Sequence, residues 1–233
     1  MVEPAAVNIL IHSLSPDLRG EFEGFLTPTN FNVGHIFSEP GELVEYLYFL
    51  DSGMMSAVSE MEGGETVEAY MVGREGFTGT TAWLIPFTSP VRYVAQIAGS
   101  ARRIEAGKFR QFANEHEPLR TVMAGYEAAL HAELARSAPC NAVHRADQRL
   151  AKWLLRARDR ADSDELRLTQ DLLGKMLGAQ RTTVNVIAQK LEAVGAIRCL
   201  RGKVRIEDRT RLEAASCECY DERWGVADRR ARP

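Results

Sequence analysis

From Phe31 to Glu105 the chain alternates short apolar, β-branched runs with clusters of turn residues, the spacing expected of consecutive strands. Pro40-Gly41-Glu42, Asp51-Ser52-Gly53, Glu62-Gly63-Gly64, residues 73–76 and Ala98-Gly99-Ser100 supply turn chemistry, because glycine takes a positive φ without steric cost. Between them the pattern predicts strands over 43–50, 54–60, 66–72 and 91–97, closing into a β-roll or barrel. A short helical segment over 7–14 precedes the Ser15-Pro16 break.

The period changes after Gly107. Residues 108–115 read as one short helix and Pro118 opens a longer one, since proline is tolerated in a first helical turn. Leu119, Met123, Tyr126, Leu130 and Leu134 recur at steps of three and four along one face, with Val122 beside them. That stripe must be covered, either by the β-rich part or by its copy in a second chain. The expectation taken here is a coiled-coil-like dimer seam. Ser137-Ala138-Pro139 then reads as a break and the domain boundary. A helix over 142–161 follows, with Leu150, Trp153, Leu154 and Ala157 inward, and a polar loop over 159–165.

Residues 168–192 have the grammar of two helices joined at a sharp angle. Thr169 stands as N-cap, and Leu172, Leu173, Met176 and Leu177 form the first apolar face. Gly178 falls where the backbone must turn, and 180–193 continue as a second helix with Val184, Ile187, Ala188 and Leu191 inward. Its other face carries Gln180, Arg181, Thr182, Asn185 and Gln189, side chains able to read bases: arginine matches guanine, and the amides match adenine. Residues 197–206 form a hairpin pattern with Gly202 in its turn, where Arg201 and Lys203 would lie along a phosphate backbone. A plain amphipathic helix pair followed by an edge hairpin would show the same periodicity, so the charge distribution matters.

The formal charge of the 233 residues is -3, which alone argues against a polyanion partner. Its distribution reverses that argument. Residues 1–139 hold 9 Lys and Arg against 18 Asp and Glu, whereas 140–212 hold 16 against 9. A basic unit behind an acidic one is the electrostatic footprint of a nucleic-acid-binding domain. No apolar run suffices to span a bilayer and 1–11 lack a basic leader, so the expectation is a cytoplasmic protein without a membrane partner. The four cysteines, Cys140, Cys199, Cys217 and Cys219, match no standard zinc or iron-sulfur spacing, and the expectation is thiols without a metal. No Gly-x-Ser-x-Gly, His-Glu-x-x-His or phosphate-cradling glycine loop followed by lysine is present, so no enzyme is expected.

With these residues in view, the chain resembles the Crp/Fnr family of transcription regulators from about Asn8 to Asp208. Gly178-Ala-Gln-Arg-Thr-Thr-Val184 is similar to the family's Gly-x-Ser-Arg-Glu-Thr-Val turn. The resemblance implies an α+β chain: an N-terminal β-roll like the cyclic-nucleotide-binding jelly roll, a long dimerisation helix, and a C-terminal winged helix-turn-helix. The corresponding domains are 1–107, 108–138 and 139–233. It further implies a homodimer on double-stranded DNA, with Arg181 on a base, Thr183 on a phosphate, and Thr169 counted among the DNA-facing residues. RNA polymerase is a further candidate partner. Gln180 and Thr182 replace the family's Ser and Glu, so a different target sequence is expected. Thr80 and Pro90-Val91 replace the Glu and Arg-Ser of cyclic-nucleotide-binding members, with Arg92 the nearest substitute cation. Cyclic AMP is therefore not expected, because its phosphate would lack a paired arginine. His35 and His131 are the histidines weighed as haem ligands, and no cofactor is assigned. The alternative is an effector- or redox-sensing protein of the same fold whose main role is not cyclic AMP-dependent DNA binding.

Overall fold

The computed structural model describes residues 7–220 in two compact units. One comprises 7–57 and 71–132, the other 58–70 and 133–220. The expected C-terminal domain extends to residue 233, and 221–233 lie outside the described residues. No described helix is long and apolar enough to cross a membrane.

The first unit opens with α1 (Ile9–His12) and α2 (Pro16–Glu23). Asn8 is fully buried and caps α1, accepting from the amides of Leu10 and Ile11, while its Nδ2 donates to the carbonyls of Leu50 and Gly76. Strands β1 (Thr27–Phe31), β2 (Ile36–Ser38), β3 (Tyr46–Leu50), β4 (Met54–Glu60), β5 (Thr66–Val72), β6 (Arg92–Ile97) and β7 (Gly99–Glu105) follow, with residues 58–60 of β4 and 66–70 of β5 counted in the second unit. They form two sheets, ordered β1-β7-β3 and β2-β6-β4-β5. The strands expected over 54–60 and 66–72 match β4 and β5, and 91–97 differs from β6 by one residue. Elements β1, β2, β7 and α2 go beyond the periodicity. Thr27-Pro-Thr-Asn-Phe31 is largely exposed and carries no alternation, so its strand exists through antiparallel pairing with β7, from Thr27↔Arg103 to Phe31↔Gly99. Gly99, expected in a turn, instead begins β7 opposite Phe31, and the Ser52 carbonyl occupies the space a side chain there would need.

Phe22, Phe49, Phe77 and Phe109 are all fully buried and bring α2, β3, the segment before Gly79, and α3 (Ala106–Glu115) together. Phe22 meets Phe49 edge-on at 5.6 Å between centroids, and Phe49 stacks on Phe77 at 5.4 Å. Tyr126 of α4 (Glu117–Val143) joins this cluster 5.0 Å from Phe77. The consequence corrects the expected dimer seam. Leu119, Met123, Tyr126 and Leu130 are buried within their own chain, and Leu134 is half-buried. The Glu127 carboxylate beside them accepts from the Thr81 amide and the Trp83 indole. The stripe spends its apolar area on the β-rich unit, which leaves no surface there for a second copy.

Nor does α4 stop at Pro139. It runs on to Val143 with proline inside it, and the break falls at His144-Arg145. Proline removes one amide donor but does not forbid a helix whose surroundings hold it. In the second unit α5 (Ala146–Ala161) is buried nearly all round, from Leu150 to Ala157 and again at Arg160. Such a helix is the hub of its unit. Around it lie α6 (Gln170–Leu177), α7 (Arg181–Ala193), α8 (Arg209–Ala215) and a sheet ordered β8-β10-β9, made of β8 (Glu165–Leu166), β9 (Ile197–Leu200) and β10 (Lys203–Ile206). The Trp153 indole donates to Glu68 at 2.7 Å.

Three cations of α5 are buried with it, and burial of a charge requires a partner. Arg156 donates to Glu133 at 2.6 Å, their side chains 8% and 3% exposed, and also to the Cys219 carbonyl. Burial pulls the Arg156 guanidinium below its ordinary pKa, and Glu133 opposes that shift. Glu133→Ala should therefore destabilise the unit by about 3–5 kcal/mol in urea unfolding, because it strands a buried cation. The double change Glu133→Leu with Arg156→Met should recover most of that loss, and a double variant as unstable as the single one would refute the assignment.

Candidate nucleic-acid interface

Helices α6 and α7 meet through a turn of three residues, Gly178 to Gln180. The Thr169 hydroxyl accepts from the Leu172 amide at 3.1 Å, so this residue works as the N-cap of α6. Gly178 adopts φ +61°, and the Ala179 amide donates back to the Gly174 carbonyl at 2.9 Å, closing the end of α6. A Cβ on Gly174 would approach the Ala179 carbonyl oxygen at 2.8 Å, so the turn closes this tightly only over glycine. Val184, Ile187, Ala188 and Leu191 fasten α7 to the core as expected.

The turn and α7 leave Gln180, Arg181, Thr182, Thr183 and Gln189 exposed. Asn185 departs from the expected face: it is half-buried, and its Oδ1 is enclosed without a hydrogen-bond partner. Val186, which a search for polar base readers misses, stands 54% exposed among these polar groups. An apolar residue breaking the polar face is the signal available for it.

The expected hairpin is β9 and β10, paired from Lys203↔Leu200 to Ile206↔Ile197, with Arg201 and Gly202 at its exposed tip. Strand β8 adds to it through Val204↔Leu166, where the polar pattern predicts the end of a loop. The wing's cations are unequal. Lys203 pairs with Glu165, which Arg205 also reaches at 3.0 Å, and Arg198 lies 3.3 Å from Glu207. Hydrogen bonds from Lys203 and then Arg205 hold the Glu165 carboxyl below its usual pKa. Among the described residues Arg181 and Arg201 have no acidic partner. Cys199 of β9 is turned away from chemistry: burial first, and Glu192 beside it, push its thiol up to about 11.

Residues 148–215 match the family model of the Crp-like helix-turn-helix domain. Over this segment the chain is similar to Crp-like helix-turn-helix domains. No curated protein matches the chain. Among solved structures, a Crp/Fnr regulator from Eubacterium rectale aligns over 88% of this chain and 96% of its own, at 17% identity and TM-score 0.69. The c-di-GMP-responsive global regulator CLP of Xanthomonas campestris aligns over 83% and 100%, at 16% identity and TM-score 0.70. A Crp-family regulator from Thermus thermophilus covers 83% and 98%, at 16% identity and TM-score 0.71. The fold is thus that of the Crp/Fnr regulators it aligns with: a β-rich N-terminal part, a long helix and a C-terminal helix-turn-helix part.

In the β-rich unit, Arg92 donates to Glu39 at 2.6 Å, and the Thr80 hydroxyl lies 3.4 Å from that of Tyr93. A cleft of about 530 Å³ opens among Phe37, Glu42, Glu45, Tyr46, Tyr48 and Arg103, whose guanidinium stacks over Tyr46 at 4.7 Å. His35 packs edge-on against Phe37, and His131 is exposed. The cysteines bring an unanticipated arrangement in the second unit: donor atoms of Cys140, His144, Cys217 and Cys219 all lie within 4.8 Å of one another.

Gly174→Ala should lower the stability of the Crp-like domain by about 1–3 kcal/mol, since backbone and not a flexible side chain must give way. Thermal unfolding of that variant indistinguishable from the parent would show that the α6–α7 turn has room for a side chain.

Proposed function

We propose that this chain is a homodimeric, sequence-specific transcription regulator whose β-roll controls DNA binding in response to an effector. The observation that carries the reading is the exposed start of α7, where Arg181 stands without an acidic partner among the described residues of a Crp-like domain. Arg181 offers paired donors to a guanine, Gln180 and Gln189 suit adenine, and Val186 suits a thymine methyl. Thr183 and Arg201 meet phosphates, fixing register without reading sequence. Thr169, occupied as a cap, and Lys203, neutralised by Glu165, contribute less than their sequence positions suggest.

Duplex DNA, a second copy of the chain and RNA polymerase are the partners on this reading. Two-fold symmetry suits a helix-turn-helix, because two recognition helices then reach successive half-sites. With the Leu119 to Leu130 stripe engaged internally, the seam belongs to the opposite face of α4. There Thr121, Ala124, Ala128 and Ala135 are exposed, and small side chains let helix backbones approach closely. Effector binding in the β-roll shifts a two-state equilibrium of the paired recognition helices. Arg92, the cation nearest in sequence to the family's phosphate-binding arginine, is engaged with Glu39, which disfavours its pairing with the phosphate of a cyclic nucleotide.

Arg181→Ala should weaken specific binding by about 1–3 kcal/mol and relax preference at one position of the site, as read by selection from a random duplex pool. Arg201→Ala should leave preference intact and reduce the slope of log affinity against log salt by about one. An unchanged site preference in the first variant sinks the base-reading role. For the seam, Ala128→Arg should convert dimers to monomers in analytical ultracentrifugation, and a dimer surviving that change would place the interface elsewhere.

A further inference from the structure

Cys140 lies near the end of α4, and the His144 amide donates to the Cys140 carbonyl at 3.1 Å, so one last helical turn puts both side chains on one side. Cys217 and Cys219 follow α8, where the Tyr220 amide turns back to the Cys217 carbonyl at 2.9 Å. The Cys140 and Cys217 sulfurs are 3.7 Å apart, and the Cys219 sulfur is 3.6 Å from His144 Nδ1. For a tetrahedral ion with zinc–sulfur bonds of about 2.3 Å and zinc–nitrogen bonds of about 2.0–2.1 Å, donor separations are about 3.8 Å for S···S and about 3.5 Å for S···N. Those two pairs already stand at ligand spacing, and even a separation of 4.8 Å, the outer limit of the group, closes by about an ångström of side-chain movement.

The surroundings point the same way. His144 Nε2 lies 3.0 Å from Glu218 Oε1, which leaves Nδ1 directed at the sulfurs, the carboxylate–imidazole–metal arrangement by which proteins orient a ligating histidine. Lys152, 8% exposed in the middle of α5, donates to the Cys140 sulfur at 3.0 Å. Three thiolates and one imidazole around a divalent ion carry a net charge of about minus one, which a buried ammonium balances. A buried ammonium donating to the Cys140 sulfur favours the thiolate form that a metal ligand requires.

We propose that Cys140, His144, Cys217 and Cys219 form a tetrahedral Cys3His site for a zinc ion, which clamps the segment after α8 to the end of α4 at the joint with α5. Three soft thiolates with an imidazole select zinc over calcium or magnesium, which take oxygen ligands. The four protein ligands fill the coordination sphere, so the site is structural. The Arg156 hydrogen bond to the Cys219 carbonyl and that of Tyr220 to Asp159 tie the same segment to α5.

The full chain, purified without chelator under reducing conditions, should contain one zinc per chain by mass spectrometry of the metal. Exchange with cobalt(II) should yield the intense visible bands of a tetrahedral site together with sulfur-to-cobalt charge transfer. Cys217→Ser should abolish stoichiometric metal, while Cys199→Ser, in the wing, should retain it. Glu218→Gln should keep the site and weaken zinc about 10–100-fold in chelator competition, which tests the arrangement even if the serine variant fails to fold. Native chain that binds neither zinc nor cobalt(II) overturns the proposal, as does cobalt bound with an octahedral spectrum lacking sulfur charge transfer. A Cys140–Cys217 disulfide in the freshly isolated chain would overturn it too. None of these readouts involves DNA, so failure of the metal site and failure of the regulator reading are separable.

Discussion

Burial of α5 on nearly every side constrains the second unit more than any other feature. Leu150, Leu154, Leu155 and Ala157 drive it inward, yet the same turns carry Lys152, Arg156 and Arg160. A cation in an apolar interior is tolerated only with a partner, so neighbouring elements must bring one. Glu133 of α4 meets Arg156, Cys140 of α4 meets Lys152, and the carbonyl of Cys219 also accepts from Arg156. The end of α4 and the segment after α8 are thus placed by electrostatic necessity as much as by apolar packing. With the hub held, α6, α7 and the wing sheet have a fixed base, and the first turn of α7 stands exposed.

Elements with strong local periodicity are legible in the sequence. Strands β4 and β5, the two helices of the helix-turn-helix and both arms of the wing fall at or within a few residues of their expected bounds, because capping by Thr169 and the left-handed Gly178 are written locally. Strands β1 and β8 are not legible, since neither Thr27-Pro-Thr-Asn-Phe31 nor Glu165-Leu166 alternates, and both are strands only through a distant partner. A break at Pro139 is the wrong expectation because proline's cost is real but can be outweighed by context. The Leu119 to Leu130 stripe reads correctly as apolar and wrongly as a seam. Periodicity states that a face is covered and is silent about what covers it.

The side chains expected to face DNA are similarly half-legible. Arg181, Thr182 and Gln189 lie where helical spacing puts them, but Asn185 sits at the margin of the buried face, and Val186 escapes a search for polar readers. The Cys140, His144, Cys217 and Cys219 cluster is out of reach for another reason. Its two halves lie 77 residues apart between Cys140 and Cys217, and ligand spacing is a sequence signal only when the fold keeps ligands close in the chain. What α5 brings together, no local motif announces.

Glu165 gives the wing a consequence of its own. By holding Lys203 and touching Arg205, it acts as a built-in counter-ion for a surface that would otherwise collect mobile ones. A cation that must first give up its carboxylate gains less from a phosphate than a free one does, and the carboxylate left behind repels the same backbone. On the proposed regulator reading, such a wing adheres weakly to bulk chromosome relative to its formal charge, so occupancy of a cognate site is drained less by the surrounding genome.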